Sequence, residues 1–278
     1  MRRLFLLLLL LLVPNLLGTD TRLVPDPDYF AAFTSTTEPD MTGLTYIPII
    51  QDYGTALGST TTWTVGMPSK LTIGDLVLVF VESANDTAPT MAGWTELPVG
   101  SPVGTGAGCP DADTCTALTI FYQIIASTTP SAVVDSGAGD HVVGMSIAVS
   151  KDSFNAADPF ENNVSTNTQI ATTSLTIPGF VTENDNSLVF VIFATPHDGN
   201  AGSWVSSEVN TTLWNPRTET ANILNLIGAT KGSYSDGGGV QILFGYKPTA
   251  GATGTTTGDA NWSHTSASIS FGVNGAPQ

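Results

Sequence analysis

The chain has 278 residues, 41% of them apolar and only 12% charged, with 24 acidic against eight basic side chains and a formal charge of −16. That balance describes a globular chain rather than a disordered one. It also argues against nucleic acid or an anionic membrane surface as a partner, because both need clustered Lys and Arg to displace counterions.

Met1, Arg2 and Arg3 form a cationic start, followed by the apolar run Leu4–Val13, then Pro14 and the small residue Gly18. This is the layout of a secretory signal over residues 1–18, cleaved near Gly18-Thr19. Ten apolar residues at ~1.5 Å rise cover about 15 Å, half of a ~30 Å hydrocarbon core, so an anchor is the poorer reading. No membrane insertion is expected after cleavage. Loss of Arg2 and Arg3 takes the charge from −16 to −18 and leaves six of the eight basic residues.

Residues 19–55 are polar and punctuated by Pro25, Pro27, Pro39 and Pro48. They read as an extended leader that lies on the domain or on a neighbouring subunit, where β-augmentation would let it pair with a strand edge.

From residue 56 to 278 the pattern is one of short β-rich runs separated by Gly, Pro, Asn, Asp and Ser clusters. Helical spacing is absent apart from a weak patch near Ala221–Ile227. Three strand types recur in the same order: Leu76–Val81 with Leu188–Phe193, Leu118–Tyr122 with Val240–Tyr246, and Gly144–Val149 with Thr265–Phe271. Leu76 and Leu188 lie 112 positions apart, and Ser146 and Ser268 lie 122 apart. Two related halves, about 60–151 and 170–275, are expected to build one antiparallel, jelly-roll-like β-sandwich jointly, since either half alone has too few strands to close a core.

Leu76–Val81 and Leu188–Phe193 are continuously apolar, whereas a strand with one wet face should alternate. Both faces of these strands must be covered, either by loops and the leader of the same chain or by a second subunit.

Cys109 and Cys115, the two cysteines of the chain, are expected to close a small disulfide loop in an exported protein. In the chain-entropy picture so short a loop contributes roughly 2 kcal/mol, enough to pin a loop but not to carry the fold. Sequons occur at Asn85, Asn163, Asn210 and Asn261. With 15 Asn and 63 Ser or Thr in 278 residues, chance alone gives about three or four, so they carry no inference.

Residues that could carry chemistry are scattered. His141, His197 and His264 belong to no nucleophile elbow or metal-spaced pair, and Gly237-Gly238-Gly239 lacks the Lys-Ser/Thr of a phosphate loop. Glu82 and Glu96 flank an exposed-looking loop containing Asn85 and Trp94, but no strand motif sets two carboxylates at the spacing of a glycosidase. Trp94, Trp204, Trp214 and Trp262 fall in loop or strand-edge contexts; they read as plugs of the sheet ends or as stacking platforms for a sugar ring. Asp111 and Asp113, and the turn Glu183–Asn186, offer oxygens of the kind Ca²⁺ takes without matching a defined calcium loop. No other cofactor is implied.

Ile73-Gly74-Asp75-Leu76-Val77, Gly93-Trp94-Thr95-Glu96-Leu97, Leu118–Tyr122 and Val142–Ser146 together resemble β-sandwich structural and adhesion proteins of bacteriophage particles and related secreted bacterial surface proteins. The likeness spans about Thr60 to Phe271 and consists of turn and core residues. It implies a non-enzymatic structural or adhesion role on a cell surface, extracellular filament or virion, with self-association or other surface proteins as partners. The signal-like start departs from what virion subunits carry and favours a secreted surface or filament component. A carbohydrate-binding module is the second expectation, and a glycan-cleaving enzyme the third.

Overall fold

A computed structural model describes residues 48, 50–57, 62–83, 88–98, 100–104, 116–135, 142–196, 206–215, 220–222, 225–230 and 238–277. Among the described residues the protein is all-β, with no helix, and every strand pairing is antiparallel.

Nine strands come from the first part of the chain. They are β1 (Ile50–Leu57), β2 (Thr62–Thr64), β3 (Leu76–Ser83), β4 (Thr90–Met91), β5 (Thr95–Glu96), β6 (Val103–Gly104), β7 (Ala117–Ile124), β8 (Val133–Asp135) and β9 (Val142–Val149). The main sheet runs β1-β9-β3-β7-β5, with β6 also on β7, while β2-β8-β4 forms a separate small sheet. Gly74, at φ 99°, turns the chain into β3, a conformation that suits a residue without Cβ.

The second part supplies β10 (Ser165–Ile177), β11 (Val181–Thr182), β12 (Ser187–Thr195), β13 (Ser206–Asn215), β14 (Thr220–Asn222), β15 (Asn225–Thr230), β16 (Gly239–Lys247), β17 (Gly251–Ala252) and β18 (Thr256–Val273). Its main sheet runs β10-β18-β12-β16-β13-β14, with β15 on β16, and β11 pairs β17. Asn186, at φ 63°, sits two residues before Leu188, as Gly74 sits two before Leu76.

The three recurring strand types take the same places in the two sheets. β3 lies between β9 and β7, β12 lies between β18 and β16, and the outer partners of β9 and β18 are β1 and β10. Register fixes the correspondence. Phe80 faces Ile120 and Met145, and Ile192, 112 positions on, faces Ile242 and Ile269. Ile120 and Ile242 lie 122 apart, but the offset of 122 expected between Ser146 and Ser268 is not met: Val79 faces Ser146 and Val191 faces Ser270, so Ser146 corresponds to Ser270. A slip of two residues preserves which side chains face inward, so an alternating pattern is blind to it.

Both central strands are buried along their whole length. Leu76, Leu78 and Phe80 from one sheet and Leu188, Phe190 and Ile192 from the other belong to a single cluster, within which Phe190 stacks on Phe271 at 5.3 Å. The alternate residues face outward into two further clusters. Val77, Val79 and Val81 are covered by Val65, Met91 and Val134 from around the small β2-β8-β4 sheet. Val189, Val191 and Phe193 are covered by Leu175, Ile177, Phe180 and Leu213.

Leu175 and Ile177 reach that position because β10 folds back. Its ladder with β18 breaks between Gln169, Thr172 and Ser174, and the Gln169 side chain then accepts from Thr176 N at 2.9 Å while donating to Ser174 O. Asn167 Nδ2 donates to Thr176 O at 2.6 Å. These amides bind backbone groups of Ser174 and Thr176 across the fold-back, while both residues stay in register with β18.

The cover over both doubly apolar strands therefore comes from the same chain, and the burial of those strands gives no ground for a second subunit. Two other expectations change. Residues 50–57, the end of the segment read as leader and the start of the domain, form edge strand β1 on β9. The described residues of the weak helical patch Ala221–Ile227 are strand, in β14 and β15, because pairing with β13 and β16 satisfies their backbone whatever the local periodicity. The proposed signal 1–18 and residues 19–47 lie outside the described residues. No helix among the described residues is long and apolar enough to cross a membrane.

Candidate functional site

Among the described residues, a dense polar constellation lies where the chain enters β12. Glu161 is 3% exposed, and its carboxylate accepts from Glu183 N at 2.7 Å, from Asn184 N at 3.3 Å and from the Ser187 hydroxyl. Glu183 in turn accepts from Asn162 Nδ2 at 2.8 Å and Asn163 Nδ2 at 3.1 Å. Buried Asn274, just past β18, donates to the carbonyls of Asp158 and Phe160 and accepts from Asn184 Nδ2. Asp185 accepts from Ala250 N at 2.7 Å.

This is the acidic turn 183–186 that sequence reading offered to Ca²⁺. The exposed carboxylates of Glu183 and Asp185 accept from side-chain and backbone amides, while buried Glu161 accepts from two backbone amides and a hydroxyl, which is how a buried carboxylate avoids the cost of desolvation. Among the described residues no three His, Cys, Asp or Glu side chains group as metal ligands would.

The corresponding turn in the first sheet is built with a different residue. Asp75 is fully buried; it accepts from Thr72 N at 2.7 Å and from Lys151 N at 3.0 Å, tying the entry of β3 to the exit of β9. In the sequence Asp75 stands within the step Gly74-Asp75-Leu76, and nothing beside Glu161 marks it as structural. A Gly-Asp step before an apolar strand is a legible signal, whereas the partners of Glu161 lie 22 to 26 positions away.

Glu82 and Glu96 do not flank an exposed loop as a pair. Glu82 is fully buried and accepts from the Thr116 hydroxyl at 3.0 Å. Glu96 accepts from Ser101 Oγ at 3.1 Å, and the same oxygen accepts from Ile120 N. Glu82 stands opposite Leu118, which belongs to the shared core, and Glu96 opposite Phe121, which belongs to the outer cluster. Cross-strand partners share a face, so register directs the two carboxylates to opposite sides of the sheet.

The two candidate tryptophans with described side chains, Trp94 and Trp214, pack on different clusters. Trp94 is half-buried against the outer cluster of the first sheet and donates from Nε1 to Ser131 O at 2.8 Å. Its turn is fixed by Gly93 at φ 81°, whose carbonyl accepts from Gln123 Nε2 at 2.9 Å. Trp214 packs on the shared core, 6.2 Å from the Tyr246 ring. Burial raises the Tyr246 phenol above its ordinary range. Trp262 lies in β18, but its side chain is outside the described residues, as are Trp204, Cys109, Cys115, Asp111, Asp113, His141 and His197. His264 is described through its backbone, opposite Thr172.

Of the sequons, Asn210 is 1% exposed and committed: Nδ2 donates to Thr256 Oγ1 at 2.8 Å, and Oδ1 accepts from the amides of Thr212 and Leu213. Asn163 is exposed.

No family model matches the chain, and neither a curated protein nor a solved structure matches it.

Proposed function

We propose that the chain is a secreted, non-enzymatic structural or adhesion protein of a cell surface, extracellular filament or virion. Its scaffold, on this reading, is a β-sandwich whose two main sheets come from two related halves. Each main sheet is drawn from one contiguous stretch of chain, which favours a plain two-layer sandwich over a jelly roll, where strands from along the whole chain intermix between the layers.

The observation that carries the reading is the use made of the buried carboxylates. Asp75 and Glu161 hold the turns into the two central strands through backbone donors, and Glu82 holds a hydroxyl. Charged groups spent on turn geometry make a rigid scaffold for presenting loops. Its partners, on this reading, are further copies of itself or other surface proteins, with the Pro-rich segment before β1 pairing with a neighbour's strand edge.

The test is light scattering and negative-stain imaging of the purified mature chain over a range of concentrations, beside a chain lacking residues 19–47. Ordered polymers or particles from the first and folded monomers from the second are expected. A strict monomer that hydrolyses a glycan panel overturns the reading.

Carbohydrate binding is the second reading, favoured by the half-exposed Trp94 indole, which its hydrogen bond to Ser131 holds in place. A rigid ring of this kind offers a stacking face at little entropic cost. Glycan-array binding lost in Trp94→Ala and kept in Trp214→Ala supports it; binding to no glycan removes it.

A further inference from the structure

The two halves meet in a reciprocal way. Beyond the strands already matched, β6 and β15 occupy corresponding edges: Val103 faces Leu118 on β7, and Ala229 faces Val240 on β16. Leu118 and Val240 are themselves a matched pair, since Glu82 faces the first and Ala194, 112 positions on, faces the second.

Each of these edges then meets the other half at a matching place. Gly100, just before β6, lies against Val164, Thr166 and Ile269, so closely that a Cβ there would fall within 2.7 to 3.1 Å of their methyl groups. That is contact with β10 and β18. On the other side β15 runs beside β1 and β9, the strands that correspond to β10 and β18. An edge A meeting B while B′ meets A′ is what a twofold axis produces in an isologous dimer. Between the edges the contact is apolar and aromatic: Phe80 meets Phe190 at 5.8 Å and Phe271 at 6.4 Å.

The covalent link between the halves crosses over a short distance. After β9, Lys151 N is held by Asp75 in the first half. From Asn155 onward the chain is laid on the second half, through Asn155 N to Asn274 O, Phe154 opposite Gly275, and Glu161 N to Gly272 O. The crossing is the short exposed step at Lys151-Asp152.

We propose that the inner face of each half is a recognition surface whose partner is the other half, so that the molecule is an internal pseudo-twofold dimer held by that interface and not by its linker. This rests on the two-halves reading above. Among the described residues the inner face of each half is covered by the other, and the apolar residues that fill the interface would be left in water if the halves parted.

The experiment places a specific protease site at Lys151-Asp152 in the full chain, folds it, cuts it, and follows the product by size exclusion and circular dichroism. Both fragments are expected to co-elute at the volume of the uncut chain with unchanged spectra, to separate in denaturant, and to regain a one-to-one complex on its removal. Fragments that separate in native buffer overturn the proposal, while leaving the strand correspondence and the surface role untouched, because neither requires association after cleavage. Should the inserted site prevent folding, hydrogen exchange on the unaltered chain decides. Amides of β3 and β12 opening in one cooperative step support the interface; β12 remaining protected after β3 has opened overturns it.

Discussion

Phe80 and Phe190, one from the central strand of each main sheet, meet with ring centroids 5.8 Å apart and planes tilted by 48°. They are 110 positions apart in the chain, and both are fully buried. Truncating either removes its ring from the shared core, and Phe80→Ala or Phe190→Ala is expected to cost about 3–5 kcal/mol. The double variant should cost less than the two together by about 0.5–1.5 kcal/mol, the coupling of an aromatic pair. Urea unfolding of the four chains measures this; strict additivity would show that the rings do not sense each other.

The Glu161 carboxylate gathers two amides and a hydroxyl in a nearly dry site. Glu161→Ala strips the two amides of their acceptor and leaves the Ser187 hydroxyl only Asn184 O at 3.2 Å, and it is expected to destabilise the fold by about 2–5 kcal/mol. Glu161→Gln keeps one acceptor oxygen and should cost clearly less. Amide exchange at Glu183 and Asn184 should accelerate in both variants before global stability is lost, and unchanged exchange there would remove the capping role.

Gly144 illustrates a glycine fixed by close approach. A Cβ at this position would lie 2.8 Å from Phe80 O and 2.8 Å from the Trp63 ring. Gly144→Ala is therefore expected to cost about 1–3 kcal/mol through overpacking. Gly104, where the nearest atom is Thr116 O at 3.4 Å, serves as the control, and Gly104→Ala should lie within about 1 kcal/mol of the parent. Thermal midpoints that fall equally in both variants would contradict this ranking.

Tyr246 is expected to contribute to the loss of stability at alkaline pH. Burial holds its phenol above the ordinary value near 10, so the folded state keeps the proton after the unfolded state begins to lose it. Below pH of about 10 both states are protonated and this group adds no pH dependence. Above it the unfolded state binds fewer protons, and stability falls by up to about 1.4 kcal/mol per pH unit from this residue. Tyr246→Phe should flatten the decline between about pH 10 and 12. Parallel slopes for parent and variant, measured by denaturant midpoints, would show that Tyr246 has no part in it.

The strands legible in the sequence were those with strong local character. Leu76–Val81 and Leu188–Phe193 could hardly be anything but covered on both faces, and their apolar runs sit at the centres of the two main sheets. What escaped was carried by distant partners. β1 is an edge strand because β9 offers it a ladder, and β15 is strand because β16 does. Glu161 looks like a surface residue between Phe160 and Asn162 until the turn at 183–187 closes over it.

By itself the sequence determined the class of the protein: β-branched runs broken by turn residues, an acidic surface, and a recurring order of three strand types. Tertiary structure alone decided the register of that recurrence, the cover over the apolar strands and the use of the buried carboxylates. The reason is physical. Hydrophobic pattern and turn propensity are properties of neighbouring residues, whereas a two-residue slip, a fold-back such as that of β10, or an amide capped by a carboxylate 22 positions away depends on which surfaces finally exclude water together.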